Sequence, residues 1–433
     1  MTRMKESGID WIGQIPEEWR VRPIKHIVET PVTDGPHETP VLFDTGIPFL
    51  SAEAVKDGVL DFNYKRGYIS LKDHERFKKK ISPKKDDIFI VKSGATTGNV
   101  GIVNTEEIFD IWSPLALIRC NKTLAIQKYI YFYLLSTLFK SQVEFNWSFG
   151  TQQNIGMGVI ERIKVILPPV SEQQKIVEVL DKKTAQLDKV KSLLEEQIQK
   201  LKDYRASLIY ETVTKGLDKT VPMKDSGIDW IGQVPQGWGS GKVKYFSQVS
   251  AGATPDRNNS LFWNGNINWM SSGEVNQGIV KHTSETITDL ALKRTSTKLL
   301  PNGTVMLALN GQGKTKGTAA VLAIESASNQ SLASFIVDNK ILNNMYLYYF
   351  FVANYYNIRG LKGEDRDGLN LQLVSNIVIP LFELEEQQKI VDFLDKKTVQ
   401  IDKLIQIKNE QIDNINKQRQ TLIYDYVTGK RRV

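Results

Sequence analysis

Cysteine is almost absent from this chain: Cys120 is the only one. No internal disulfide is possible, which argues against a secreted fold stapled by cross-links. Histidine is nearly as scarce. His26, His37, His74 and His282 stand at no metal-ligand spacing. His37-Glu38 and His74-Glu75 lack the second histidine of a zinc-binding helix. No run of 18 apolar residues occurs, so no segment is expected to span a membrane. The opening MTRMKESGIDW lacks the apolar stretch of a signal peptide. These absences together predict a cytoplasmic location.

Catalytic motifs are missing too. LALNGQGKT at 307–315 resembles a phosphate loop, but Ala308 stands where glycine would let backbone N–H groups cradle phosphate. The matching turn, VKSGATTGNV at 91–100, has neither GKT nor the spacing. Transfer of a methyl group to a base amine would need an Asn- or Asp-Pro-Pro-aromatic tetrad. The one Pro-Pro, Pro168-Pro169, is flanked by Leu167 and Val170. No Glu-x-Lys pair follows Pro255-Asp256, so that dipeptide is not a restriction-nuclease core. The chain is therefore expected to hold no catalytic residue, metal or cofactor of its own.

What the chain has in abundance is repetition. Met4–Trp19, MKESGIDWIGQIPEEW, returns as MKDSGIDWIGQVPQGW at Met223–Trp238, an offset of 219. EQQKIV, LDKKT and LIY recur at an offset of 214 in two helical stretches, 171–216 and 385–429. In the first, Leu180, Leu187, Leu194, Leu201 and Leu208 repeat every seven residues, with Ile176, Val190, Ile198 and Tyr204 between them. In the second the seam runs through Leu394, Ile401, Ile415 and Leu422, with Lys408 as a polar break. A seven-residue repeat held this long makes an apolar stripe that winds around a partner helix. At ~1.5 Å per residue each rod is roughly 60 Å long, and the partner is in the same chain. Ser171 with Gln174 is predicted to form a capping box at the start, and Gly216 to close the first helix.

Between these repeats lie two bodies whose sequences match poorly. Body one shows strand-like runs at 47–51, 87–91, 100–103, 115–118 and 163–167. KYIYFYLLSTLF at 128–139 reads as one buried helix. Body two follows the same plan, with strands at 305–309 and 377–379 and an aromatic helix at 346–352. The predicted fold class is α+β. Two globular α/β bodies are separated by two long helices forming an intramolecular coiled coil, as a pseudo-twofold repeat. The predicted divisions are 1–168, 169–219, 220–382 and 383–433.

The formal charge of +7 and pI near 9.0 permit a polyanionic partner. Basic residues group at Lys78-Lys79-Lys80 with Lys84 and Lys85, at Lys314 with Lys316, and at Lys430-Arg431-Arg432.

Several of these stretches resemble one family closely, the DNA-specificity subunit of type I restriction-modification enzymes. They are the two SGIDWIGQ motifs, AGATP with FWNGNINWMSSGEV at 251–275, the SG and NG turns, and LPPVSEQQKIVEVLDKKT with its copy. The second helix departs from the first at Glu383-Leu384, where it lacks the Pro-Val-Ser lead-in. The resemblance implies two target-recognition domains reading a split, asymmetric site on double-stranded DNA. It implies that the helices are antiparallel. It also implies two modification subunits carrying the S-adenosylmethionine site, joined by restriction subunits with motor and nuclease activity. Base readout needs polar side chains on loops that reach a groove. The candidates in body one are Ser93, Thr96, Thr97, Thr151, Gln152, Gln153 and Asn154. In body two they are Arg257, Asn258, Asn310, Gln312, Lys314, Lys316 and Arg366. The rival readings are an enzyme, for which no catalytic constellation is found, and a scaffold that binds proteins alone.

Overall fold

A computed structural model describes residues 3–9, 12–146, 148–149, 153–311, 313–361 and 368–433. The chain folds as two units, residues 1–194 with 409–433 and residues 195–408. The division falls inside both long helices, Val170–Lys215 and Leu384–Val427.

In the first unit a sheet runs in the order Thr33–Asp34, Leu115–Ile118, Ile88–Val91, Val100–Ile102, Val59–Leu60, Val55–Lys56. A second sheet has the order Asp110–Ile111, Ile47–Leu50, Gly67–Ile69. The second unit repeats this connectivity. Its larger sheet runs Ser247–Ala251, Leu332–Val337, Val305–Ala308, Ala319–Leu322, Ile279–Val280. Its smaller sheet runs Glu285–Ile287, Trp263–Met270, Ala327–Ser328. Two bodies with little sequence in common thus share one topology. Central strands such as Ile88–Val91 are buried on both faces, which explains their unbroken apolar runs.

A shared glycine shows how deep the match goes. Gly35 and Gly252 each follow the edge strand of the larger sheet and meet the smaller one. A Cβ on Gly35 would collide with the carbonyl oxygen of Ile111, and one on Gly252 with that of Ser328.

The repeated segments build the core of each unit. In the first, Ile9, Ile12, Ile15 and Trp19 pack with Ile176, Val177 and Leu180 of one long helix and Ile423, Tyr426 and Val427 of the other. In the second, Ile228, Ile231, Val234 and Trp238 pack with Ile209, Val213, Ile390, Val391 and Leu394. Polar clamps repeat as well. Buried Gln173 accepts from the Ile126 N–H at 2.8 Å and donates to Pro168 O at 2.9 Å. Buried Gln387 accepts from the Asn343 N–H at 2.8 Å and donates to Phe382 O at 2.8 Å. The Trp19 indole donates to Glu172 at 2.9 Å, and that of Trp238 to Glu386 at 3.3 Å.

The two helices run antiparallel within each unit. In the first, Arg432 meets Glu172 at 2.8 Å while Arg419 meets Asp188 at 3.4 Å. In the second, Lys408 meets Gln197 at 2.5 Å and Arg205 meets Asp402 at 3.2 Å. Leu180, Leu394 and Ile401 are buried. Leu187, Leu194, Leu201, Leu208, Ile415 and Leu422 are half-buried; of these, Leu422 packs against the core of the first unit and Leu208 against that of the second.

Three local expectations need correcting. The predicted capping box at Ser171 does not form. The helix starts at Val170, and Pro169 O accepts from the N–H groups of Glu172 and Gln173. The second helix begins in the same way on Glu383 O, without Pro-Val-Ser. The predicted helix at 128–139 is two helices, Gln127–Leu135 and Thr137–Phe145, broken where Ser136 is extended with ψ 159°. Val190 and Tyr204 are exposed and take no place in the seam. Gly216 does close the first helix, with φ +70° and its N–H on Thr212 O. That conformation favours glycine.

Candidate nucleic-acid interface

Strand register decides which loops meet. In body one Val91 pairs with Leu115, and Asp34 with Ala116. The chain leaving Val91, entering Leu115 and leaving Asp34 therefore emerges at one edge of the sheet. In body two Ala308 pairs with Leu332 and Ala251 with Ala333, so the loops after 251 and 308 and before 332 share the corresponding edge.

At the body-one edge two predicted groups come together. Ser93 bridges Asn154, the Gly94 N–H donates to Gln153 O at 3.2 Å, and the Ile155 N–H to Lys92 O at 2.8 Å. Thr97 is buried, and its hydroxyl donates to the carbonyls of Gly94 (2.7 Å) and Gln153 (3.1 Å). It builds the turn. Ser93 is half-buried, while Thr96, Gln153 and Asn154 are exposed. Thr151 and Gln152 lie outside the described residues.

Sequence reasoning missed the charged centre beneath this turn. Asp34 is only 7% exposed and holds Lys80 Nζ at 2.6 Å, Lys92 Nζ at 2.5 Å and His37 Nε2 at 3.2 Å. Burial pushes its carboxyl up, but hydrogen bonds from Lys80 and Lys92 outweigh that and leave it below the usual aspartate value. The one sequence signal was Lys92 standing directly before the SG turn.

In body two the turn at 309–317 is braced from below. Tyr355 donates to Lys314 O at 2.9 Å, and Arg359 to Lys316 O at 2.9 Å. Asn310 and Lys314 are exposed and Lys316 is half-buried. Gln312 and Arg366 lie outside the described residues. Arg257 and Asn258 sit in the loop after 251 rather than in this turn. The Arg257 guanidinium forms a two-pronged pair with Glu285, Nη2 to Oε2 at 3.0 Å, and lies 4.0 Å over the Trp263 ring. Asn258 N–H is tied to Asp256 at 3.0 Å.

The terminal basic run is spent internally. Lys430 donates to Tyr424 OH at 2.7 Å, Arg431 lies 3.8 Å from Asp425, and Arg432 pairs with Glu18 and Glu172 at 2.8 Å. Among the described residues no three His, Cys, Asp or Glu side chains converge as metal ligands. No helix there is long and apolar enough to cross a membrane.

The model of the type I restriction modification DNA specificity domain matches residues 16–202 and again 235–417. The chain is 24% identical over 435 residues to the type I restriction enzyme MjaVIII specificity subunit of Methanocaldococcus jannaschii, covering 97% of this chain and 94% of that one. It is 26% identical over 289 residues to the EcoR124I/EcoR124II specificity subunit of Escherichia coli, covering 64% of each. Its fold is similar to that of a chain from a structural study of type I R-M complex assembly and conformational transition. That likeness has a TM-score of 0.71 at 16% identity, over 96% of this chain and 99% of that one. It is also similar to the HsdS subunit of Thermoanaerobacter tengcongensis, with a TM-score of 0.50 at 15% identity, over 96% and 98%. Matched over both of its repeats, the chain belongs to the type I restriction-modification DNA specificity family, as a non-catalytic specificity subunit with two target-recognition domains.

Proposed function

We propose that the two bodies read the two parts of a split, asymmetric sequence on double-stranded DNA, and that the long helices hold the partner subunits. One observation carries this reading. Both bodies present loops of different sequence at the same edge of the same sheet topology. Two readers of one design with different side chains suit a target whose halves differ. The candidates then act in two ways. Ser93, Thr96, Gln153, Asn154 and Asn310 offer hydrogen bonds to base edges, and Lys314 a phosphate contact. Exposed apolar side chains on the helices, such as Leu193 in the first unit and Val399 and Leu404 in the second, offer footing for other proteins. The partners are two modification subunits, which carry S-adenosylmethionine, and restriction subunits, in the cytoplasm.

Body exchange tests the reading. Replacing 20–167 with the body of another specificity subunit should change one half of the methylated sequence and leave the other alone. A change in both halves, or in neither, would sink the two-reader model.

A further inference from the structure

We infer that Gln330 is a base-reading hydrogen-bond donor of body two, held in position by Thr254; the inference rests on the reading of the two bodies as DNA readers. The segment 329–331 lies where three loops meet. Leu309 N–H donates to Ser331 O at 2.8 Å, tying it to the 309–317 turn, and Ala253 N–H donates to Ser328 O at 2.9 Å, tying it to the loop after 251. Gln330 is exposed there. Its side-chain oxygen accepts from the Thr254 hydroxyl at 2.6 Å. Its Nε2 has no hydrogen-bond partner among the described residues. A carboxamide anchored through oxygen presents its NH₂ as the group left to bond outward.

Thr254 can do this because its loop is pinned on both sides. The Trp269 indole donates to Ala253 O and the Trp263 indole to Asp256 O, each at 3.1 Å. Arg257 is spent on Glu285 and on the two tryptophan rings, so it locks the loop and leaves the reading to its neighbours. A solvent-facing glutamine needs no such brace. A reader gains from one, since its rotamer entropy is lost in folding and not again on binding.

Body one supports the assignment by contrast. Trp112 N–H reaches Leu50 O as Asn329 N–H reaches Met270 O, and Lys92 N–H reaches Pro114 O as Leu309 N–H reaches Ser331 O. Ser113 therefore occupies the place of Gln330, with a shorter reach and different chemistry. The group that an outward donor recognises is an acceptor on a base edge, such as O6 and N7 of guanine.

The test is selection from a randomised duplex library by the full chain co-purified with its partner subunits. Gln330→Ala should relax discrimination at a single base pair of body two's half by about 10- to 100-fold. Thr254→Val should relax the same base pair, because valine offers no hydroxyl to the Gln330 oxygen and the freed amide can turn over. Gln330→Glu should disfavour the original base there. An unchanged selected sequence for Gln330→Ala, or relaxation at different base pairs for the two variants, overturns the inference. Exchange of residues 239–381 separates the two levels. If exchange moves the half-site and Gln330→Ala does not, only the role of Gln330 falls; if exchange moves nothing, base reading by this body falls with it.

Discussion

Asp34 is one of few buried charges in its body, and its value to the fold depends on pH. Its carboxyl titrates below the ordinary aspartate value, because the hydrogen bonds from Lys80 and Lys92 outweigh the cost of burial. A depressed acid contributes stability above its unfolded pKa of about 3.9 and loses it as pH falls through the lower folded value. Asp34→Asn should destabilise the chain near neutral pH by about 1–3 kcal/mol. In thermal melts the gap between the variant and the parent should close below about pH 4. A gap that persists in acid would mean that Asp34 acts by shape rather than charge. Cys120 makes a simpler case. Burial, with the Asp87 charge second, pushes its thiol up to about 12. It should resist alkylation until the chain unfolds.

Residues also show where reading from sequence stops. The SG and NG turns are legible because glycine between polar residues, flanked by apolar runs, is local information. Arg257 reads in sequence as a cation free for DNA, yet its partners, Glu285, Trp263 and Trp269, are brought to it only by tertiary folding. Ser171 fails as a cap because the helix already begins at Val170, with Pro169 O taking the N–H groups of Glu172 and Gln173. The first turn is also held by a distant partner, since Trp19, 153 residues away, donates to Glu172, and no local rule carries that. Gln330 offers no signal at all.

Among the elements, the turns and the helix starts make separate predictions. The 309–317 turn is braced through its backbone, so Lys314 can change without unfolding it. Lys314→Glu should lower DNA affinity and reduce the slope of log affinity against log salt by about 0.9 for each phosphate no longer neutralised. An unaltered slope would mean that Lys314 touches no phosphate. The helix starts depend on Gln173 and Gln387. Gln387→Ala leaves the Asn343 N–H and the carbonyls of Phe382 and Ile341 unpaired. Each costs about 1–3 kcal/mol, so denaturant melts should show loss of unit two's stability. Leu394, fully buried in the same core, should cost about 2–5 kcal/mol as alanine. The heptad seam is legible as a pattern, yet its depth is not. The pattern marks which face is apolar, while burial depends on whether a body or only another helix covers it.

For the whole molecule, the near letter-for-letter repeats find their reason in the two shared cores. The opening motif, the start of one helix and the end of the other are packed together in each unit, so a change in any one must suit the other two. The loop edges carry no such constraint, and there the copies differ. The units nevertheless differ in how they are drawn from the chain. Residues 195–408 are contiguous, whereas the first unit needs 1–194 and 409–433 together. A fragment 195–408 should fold alone, with cooperative melting. A fragment 1–194 should not, unless a peptide of 409–433 is added. Independent folding of 1–194 would show that Ile423, Tyr426 and Val427 are dispensable to its core.

That division bears on synthesis. Chains grow from the N-terminus, and domains ordinarily complete themselves in that order. Here the order must reverse. Once Lys408 has left the ribosome the second unit has all its residues, while the first, made earlier, still shows the apolar surface that Ile423, Tyr426 and Val427 will cover. The body made first is finished last, and through that interval part of its core lies open to water. Stalled nascent chains should show it: protease resistance should reach residues 195–408 before it reaches the N-terminal body, which should become resistant only after Val427 has emerged.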